Sequence, residues 1–210
     1  KKLDEGLRRS QLERYLENEV HACAILARNL QRASELIGSF KQLAVDQTTS
    51  QRRKFLLEEL ISGNVLALEP LLRRGKCHVR INAIPACELD SYPGPFGQVL
   101  GNLLSNAMVH GYGEAGGEIV VDASLAGDTV RIAVTDYGAG IASEHQKRVF
   151  DPFFTTRMGQ GGSGLGLHLC YTIVHHLLGG EIEVRSRLGE GTTFVVTLPL
   201  VAPMHPEPVH

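Results

Sequence analysis

Asn102, Asn106 and His110 recur at steps of four, so on a helix they share one side. Asparagine is a poor helix former, and two in mid-helix need a reason. Plain solvent exposure is one. The other is chemical: a carboxamide oxygen is a neutral ligand of the kind Mg²⁺ takes alongside water and phosphate oxygens. Further on, Asp136-Tyr137-Gly138-Ala139-Gly140-Ile141 follows directly on a strand-like run. A carboxylate at a strand end can accept the amine proton of adenine, while the glycines let backbone approach a ring closely. A simple Asp-x-Gly turn has the same spelling. The third stretch, residues 159–167, opens a helix and has glycine at 159, 161, 162, 164 and 166. Glycine-rich backbone at a helix start offers free N–H groups and the positive end of the dipole, which suit phosphate. Gly159-x-Gly161-x-x-Gly164 formally fits a dinucleotide fingerprint, but Phe153 to Met158 ahead of it make no convincing strand. A P-loop is ruled out, because Gly166 leads into Leu167-His168 instead of lysine and a hydroxyl residue.

The helix carrying the asparagines is expected over residues 96–111, with Phe96, Val99, Leu100, Leu103, Leu104 and Ala107 as its core stripe. Pro93-Gly94-Pro95 punctuates the chain before it. Residues 118–125 and 129–135 alternate and are joined by Ala126-Gly127-Asp128, a hairpin pattern. An irregular stretch, 138–162, gives way to a helix over 163–178 and strands over 181–187 and 192–198. Upstream, 55–72 reads as a helix weakened by Gly63 and Pro70 and ending before Arg73-Arg74-Gly75, and 78–84 as a strand. Helices gathered between hairpin strands imply an α+β two-layer sandwich, a mixed sheet with helices on one face. Ahead of it, residues 10–45 carry apolar side chains at steps of three and four, from Leu12 to Ala44. That is a helix of roughly 50 Å, and its stripe needs a partner from another chain or from a segment outside this sequence. The expected organisation is a helix and linker over 1–50, the main domain over 51–203, and a tail over 204–210.

Composition narrows the rest. The chain has 210 residues, 21 basic against 23 acidic side chains, and 43% hydrophobic residues. It can pack a core, and near charge balance gives no electrostatic reason to expect nucleic acid. No apolar run is long enough to span a membrane, which leaves open a membrane-tethered parent. The four cysteines lack CxxC spacing and read as free thiols. The nine histidines show no zinc-like spacing, and His175 and His176, adjacent on a helix, point apart.

Asn102-Leu103-Leu104-Ser105-Asn106-Ala107 resembles the N box of the GHKL superfamily (gyrase, heat-shock chaperones, histidine kinases and mismatch-repair ATPases, with the Bergerat ATP-binding fold). Asp136-x-Gly138-x-Gly140 is similar to its first glycine box, and Gly162-Ser163-Gly164-Leu165-Gly166-Leu167 to its second. Phe150-Asp151-Pro152-Phe153-Phe154 resembles the F box special to histidine kinases, and Gly191-Thr192-Thr193-Phe194 through Leu198-Pro199 the closing strand motif. The motifs run in the family's order across residues 96–199. The resemblance implies the ATP-binding catalytic domain of a sensor histidine kinase. It would transfer the γ-phosphoryl of ATP to a histidine, for relay to the aspartate of a response-regulator receiver domain. Asn106 would hold Mg²⁺, and Asp136, with Gly138, Gly140, Ile141 and Thr192 around it, would recognise adenine. Gly162, Ser163, Gly164, Leu165 and Gly166 would cradle phosphates, with Leu167 next to them. Residues 150–161, among them Thr156 and Gly161, would form a lid, with Phe150, Phe153 and Phe154 as anchors packing on the domain and Arg157 reaching the terminal phosphate. Asn102 stands where the superfamily's ATPases carry a glutamate, and an amide cannot activate water, so transfer fits better than hydrolysis. A serine kinase of the same fold, or a non-catalytic nucleotide-binding module, is the alternative. The resemblance further implies a cytoplasmic domain, a homodimeric full-length protein and magnesium dependence.

Two departures stand out. Val109 occupies a position where the kinases often have lysine or arginine, leaving phosphate charge to His110 or Arg157. A phosphoacceptor box is absent: His21 is followed by Ala22, not an acidic residue. The long helix instead resembles the second helix of a dimerisation hairpin, whose first helix would carry the acceptor. The chain alone is therefore predicted to bind nucleotide without phosphorylating His21. Incubation with labelled ATP, with and without an added acceptor helix, should give acid-labile phosphate only in the second case. Label on the isolated chain that His21→Ala removes would contradict this.

Overall fold

The computed structural model of the protein describes residues 14–27, 51–155 and 164–204. The chain divides into two compact units, 1–42 and 43–210. In the first, residues 14–27 form a helix, α1, exposed throughout, and the rest of the expected long helix and its linker lie outside the described residues.

In the second unit, strands β1 (Arg53–Leu56) and β3 (Glu88–Ser91) pair antiparallel as a small sheet. Arg52 grips Asp90 through two hydrogen bonds of 2.7 and 3.1 Å, and Asp90 also bridges to Val201. The main sheet has the order β2 (Cys77–Ile81), β4 (Gly117–Ala126), β5 (Thr129–Asp136), β7 (Gly191–Pro199), β6 (Glu181–Arg187). Only β2 and β4 run parallel, so the sheet is mixed. The hairpin forms as the sequence implies, but its turn is Gly127-Asp128 alone, because Ala126 is drawn into the ladder opposite Thr129.

Burial alternates strictly along β5: Val130, Ile132, Val134 and Asp136 are buried, while the residues between them are only partly so. A period of two puts those four on one face, where they meet the helices. There α2 (Leu57–Arg74), α3 (Pro93–Asn106) and, after the single-turn α4 (Ser143–Gln146), α5 (Gly166–Thr172) supply Leu57, Ile61, Phe96, Leu100, Leu103, Leu104 and Leu169 to the same core. The layered α+β arrangement is the one expected.

Several local expectations need correction. Phe55 belongs to a strand, not a helix, and α2 continues through Gly63 and Pro70 to Arg74. Pro70 removes one N–H, and the carbonyl it would have paired with belongs to Leu66, which is 69% exposed, so the helix tolerates the loss. β3 was not anticipated; Glu88-Leu89-Asp90-Ser91 is short and half acidic. Pro93 does not end a segment but opens α3, where its missing N–H costs nothing.

Beyond Asn106 the expected helix widens into a π-helical turn, Ala107–Tyr112, closed by the Gly113 N–H on the Met108 carbonyl at 2.9 Å. A second π turn, Ile173–Leu177, follows α5. Phe96 is 1% exposed, with helices and sheet closed around it. Phe96→Ala should cost about 3–5 kcal/mol of unfolding free energy in denaturant titrations. A loss below about 1 kcal/mol would contradict this account of the core.

Candidate functional site

A cleft of about 490 Å³ opens between the α3–π segment, the end of β5, the start of α5 and the β6–β7 turn. That volume is ordinary for a small-molecule site. Asn102, Asn106, His110, Asp136, Gly140, Ile141, Gly164, Gly166, Leu167 and Thr192 all line it. Segments far apart in sequence therefore converge on one place.

Asp136 ends the inward row of β5 and is 4% exposed. Burial pushes its carboxyl above the ordinary value of 3.8, while the N–H groups of Gly138 and Thr192 pull the other way. The Gly138 N–H donates to Asp136 Oδ1 at 2.9 Å, so Gly138 supports the carboxylate from behind and does not line the cleft. The backbone is packed tightly here. A Cβ on Gly111 would lie 2.7 Å from Asp136 Oδ1, and Gly191, at φ 102°, would push one to 2.7 Å from the Tyr137 Cα. Ala139 donates to the Gly111 carbonyl at 2.9 Å and accepts from Gly189 at 2.8 Å. Gln146 straps the loop further, its Nε2 donating to the carbonyls of Ile141 and Ser186 at 2.9 and 2.8 Å.

On the opposite wall, Asn102 Nδ2 donates to the Gly166 carbonyl at 3.4 Å, tying α3 to the start of α5. Beneath it Cys170 is wholly buried, and burial pushes its thiol up to about 12. Asn106 Nδ2 is buried with no hydrogen-bond partner among the described residues. Such a group is expensive unless something pairs with it. Among the described residues no cluster of three His, Cys, Asp or Glu side chains could hold a metal. A cation here would rest on the Asn106 carboxamide and on ligand oxygens.

The aromatic box divides. Phe150 packs 6.3 Å from the Phe194 ring and 5.9 Å from Tyr171, and its carbonyl lies 3.1 Å from His168 Nδ1; it is an anchor that does not reach the cleft. Phe153, expected to pack as well, is 56% exposed at a φ of 65° and does not line the cleft. Phe154 takes its place at the cleft, under the Arg148 guanidinium at 4.9 Å and beside His145 at 5.5 Å. Leu165 caps α5 and also stays off the cleft wall. Thr156, Arg157, Gly161, Gly162 and Ser163 lie outside the described residues.

Sequence reading missed Ser105, Val109, Gly111, Ala142, His145, Val149, Thr155, Leu188 and Phe194 as lining residues. Phe194 was within reach, since two steps along a strand from Thr192 returns to the same face. Leu188 had no such signal, because only the pairing of β6 with β7 brings it over the cleft.

Residues 92–202, just over half of the chain, match the family described as histidine kinase-, DNA gyrase B-, and HSP90-like ATPase. The chain belongs to that family. It is 43% identical over 117 residues to the alginate biosynthesis sensor protein KinB of Pseudomonas aeruginosa, covering 56% of this chain and 19% of KinB. It is 33% identical over 184 residues to the sensor histidine kinase ZraS of Escherichia coli strain K12, covering 87% and 38%. It thus spans about a fifth to two fifths of these relatives. The catalytic domain of histidine kinase ThkA superimposes with a TM-score of 0.64 at 30% identity, over 72% of this chain and 97% of that one. ThkA in complex with the response regulator protein TrrA superimposes with a TM-score of 0.62 at 25% identity, over 95% and 53%. Its sequence and fold are those of a histidine kinase-type ATPase domain.

The Asp136 environment carries a pH signature. A carboxyl raised by burial binds its proton more tightly in the folded than in the unfolded chain. Folding then takes up a proton between the ordinary value and the raised one, so stability falls as pH rises through that window and is level above it. Asp90 and Glu118, held low by hydrogen bonds from Arg52 and Arg80, act in the opposite sense. Comparing wild type with Asp136→Asn isolates the one carboxyl. Relative to the variant, wild type should lose stability from about pH 4 upward until its carboxyl is ionised. A difference that does not vary with pH would contradict the buried-carboxyl account.

Proposed function

We propose that this domain binds ATP with Mg²⁺ and presents the γ-phosphoryl group to a histidine on a dimerisation helix, for relay to a response-regulator aspartate. The observation that carries the reading is that Asp136, Asn106 and the glycine-rich start of α5 open into one cleft. The buried Asp136 carboxylate accepts the adenine amine, and Gly140 and Ile141 let the ring lie against backbone. Gly164 and Gly166 keep the phosphate end free of side chains, and the first-turn N–H groups of α5 have no partner within the helix. Gly164, at φ 70°, also packs on the Phe153 backbone, where a Cβ would fall 2.8 Å from the Phe153 Cα. Mg²⁺, when bound, would neutralise phosphate charge. Asn106 would hold it through its carboxamide oxygen, which suits the ion's preference for oxygen, and the buried Asn106 Nδ2, without a partner among the described residues, would donate to a phosphate oxygen.

Asn102 holds α5 in place and, being an amide, takes no proton from water, which favours transfer over hydrolysis. The ThkA–TrrA likeness supports a response regulator as partner. No described helix is long and apolar enough to cross a membrane, and we place the domain in the cytoplasm, where ATP is available. We take 51–203 as the catalytic domain, with 1–50 as part of a dimerisation hairpin and 204–210 as a tail. Val109, apolar on the cleft wall, favours the second reading, a module that binds nucleotide without transferring phosphate.

Calorimetry tests the assignment. Asn106→Ala should remove most of the gain in ATP affinity that Mg²⁺ confers, at least about tenfold, while Mg²⁺-free ADP binding changes little. Gly164→Ala should weaken ATP more than adenosine. GTP should compete poorly, because guanine offers a carbonyl where Asp136 needs a proton. Equal competition by GTP, or unchanged affinities in both variants, would remove the proposal.

A further inference from the structure

The Ser186 hydroxyl has three polar partners. It donates to the Gly191 carbonyl at 2.8 Å, accepts the Ile141 N–H at 2.7 Å, and lies 2.9 Å from Thr192 Oγ1. A hydroxyl has one proton and two lone pairs, so these three fill it. The Gly191 oxygen can only accept, and it takes the Ser186 proton. The contact with Thr192 must therefore be made by the Thr192 proton, leaving Thr192 to face its cleft with lone pairs alone.

Thr192 sits opposite Asp136 in the β5–β7 ladder, and both line the cleft while being 5% and 4% exposed. Directly opposite side chains in such a ladder lie roughly 4.5–5.5 Å apart at Cβ. The cleft floor thus carries two acceptors side by side. We propose that Ser186 is a positioning residue for base specificity: by taking the Thr192 proton it makes Thr192 an acceptor, so that the floor admits a 6-aminopurine and refuses a 6-oxopurine. A ring amine brings two protons to such a floor, whereas a ring carbonyl brings lone pairs against lone pairs. This inference rests on the adenine-nucleotide reading of the cleft.

Ser186 also supports the Ile141 loop, so its loss should weaken every nucleotide somewhat. The ratio of affinities separates the two roles. ADP and inosine diphosphate are titrated calorimetrically into the chain and its variants. In Ser186→Ala the Thr192 hydroxyl is released and can donate to a carbonyl, and the preference for ADP should fall about tenfold. Ser186→Thr, which keeps the hydroxyl, should retain the wild-type preference, and Ser186→Val, of the same shape, should lose it. In a Thr192→Val background, Ser186→Ala should leave the ratio unchanged.

Equal weakening of both nucleotides in Ser186→Ala and Ser186→Val would overturn the proposal and reduce Ser186 to a loop support. So would an undiminished effect in the Thr192→Val background. If the wild-type chain bound ADP and inosine diphosphate equally, the adenine reading itself would fall, and this inference with it.

Discussion

One carboxyl group lies at the end of an otherwise apolar row, and much of the surrounding chain is explained by the cost of keeping it there. Asp136 shares a strand face with Val130, Ile132 and Val134, so the alternation that builds the core also carries a charge-bearing side chain out of water. Only close donors make that tolerable, and here they are the backbone N–H groups of Gly138 and Thr192. Side chains on Gly111 or Gly191 would intrude where the chain passes this close, so glycines collect around Asp136 for a steric reason.

This constraint explains why the site was so legible in the sequence. Motifs whose residues are chosen by backbone proximity, such as Asp136-x-Gly138-x-Gly140, keep their spelling wherever the geometry is the same. The strands around them were legible too, because β5 alternates cleanly and its hairpin turn has room for only two residues. The less legible parts have other physics. Phe153 and Phe154 are adjacent in one motif, yet backbone conformation turns one outward and the other to the cleft, and composition does not encode that choice. Leu188 and His145 reach the site through strand pairing and the Gln146 strap, contacts that no local pattern announces. The start of α2 was misplaced because Phe55, apolar and next to a helical stripe, satisfies a short edge strand equally well.

The cleft has two ends of different mechanical character. Around Asp136 the walls are cross-tied by Ser186, Gln146, Ala139 and Gly189, so the loop from β5 is bound to the β6–β7 turn at several points. Around Asn102, the described ties between α3 and α5 are the amide contact of 3.4 Å and the Cys170 thiol on the Val99 carbonyl at 3.8 Å. On the proposed reading, base recognition benefits from the preorganised floor at the Asp136 end, because less ordering is left to be done when the ligand binds.

The π-helical turn at Ala107–Tyr112 shapes one wall of the cleft. Such turns close i→i+5 hydrogen bonds, are wider than α turns, and recur at functional sites. Here three successive residues, Val109, His110 and Gly111, all line the cleft. An α-helix advances about 100° per residue and would fan three successive positions over about 200° of its circumference. The wider turn narrows that fan, so a continuous stretch of chain, side chains and glycine backbone together, serves as a single surface.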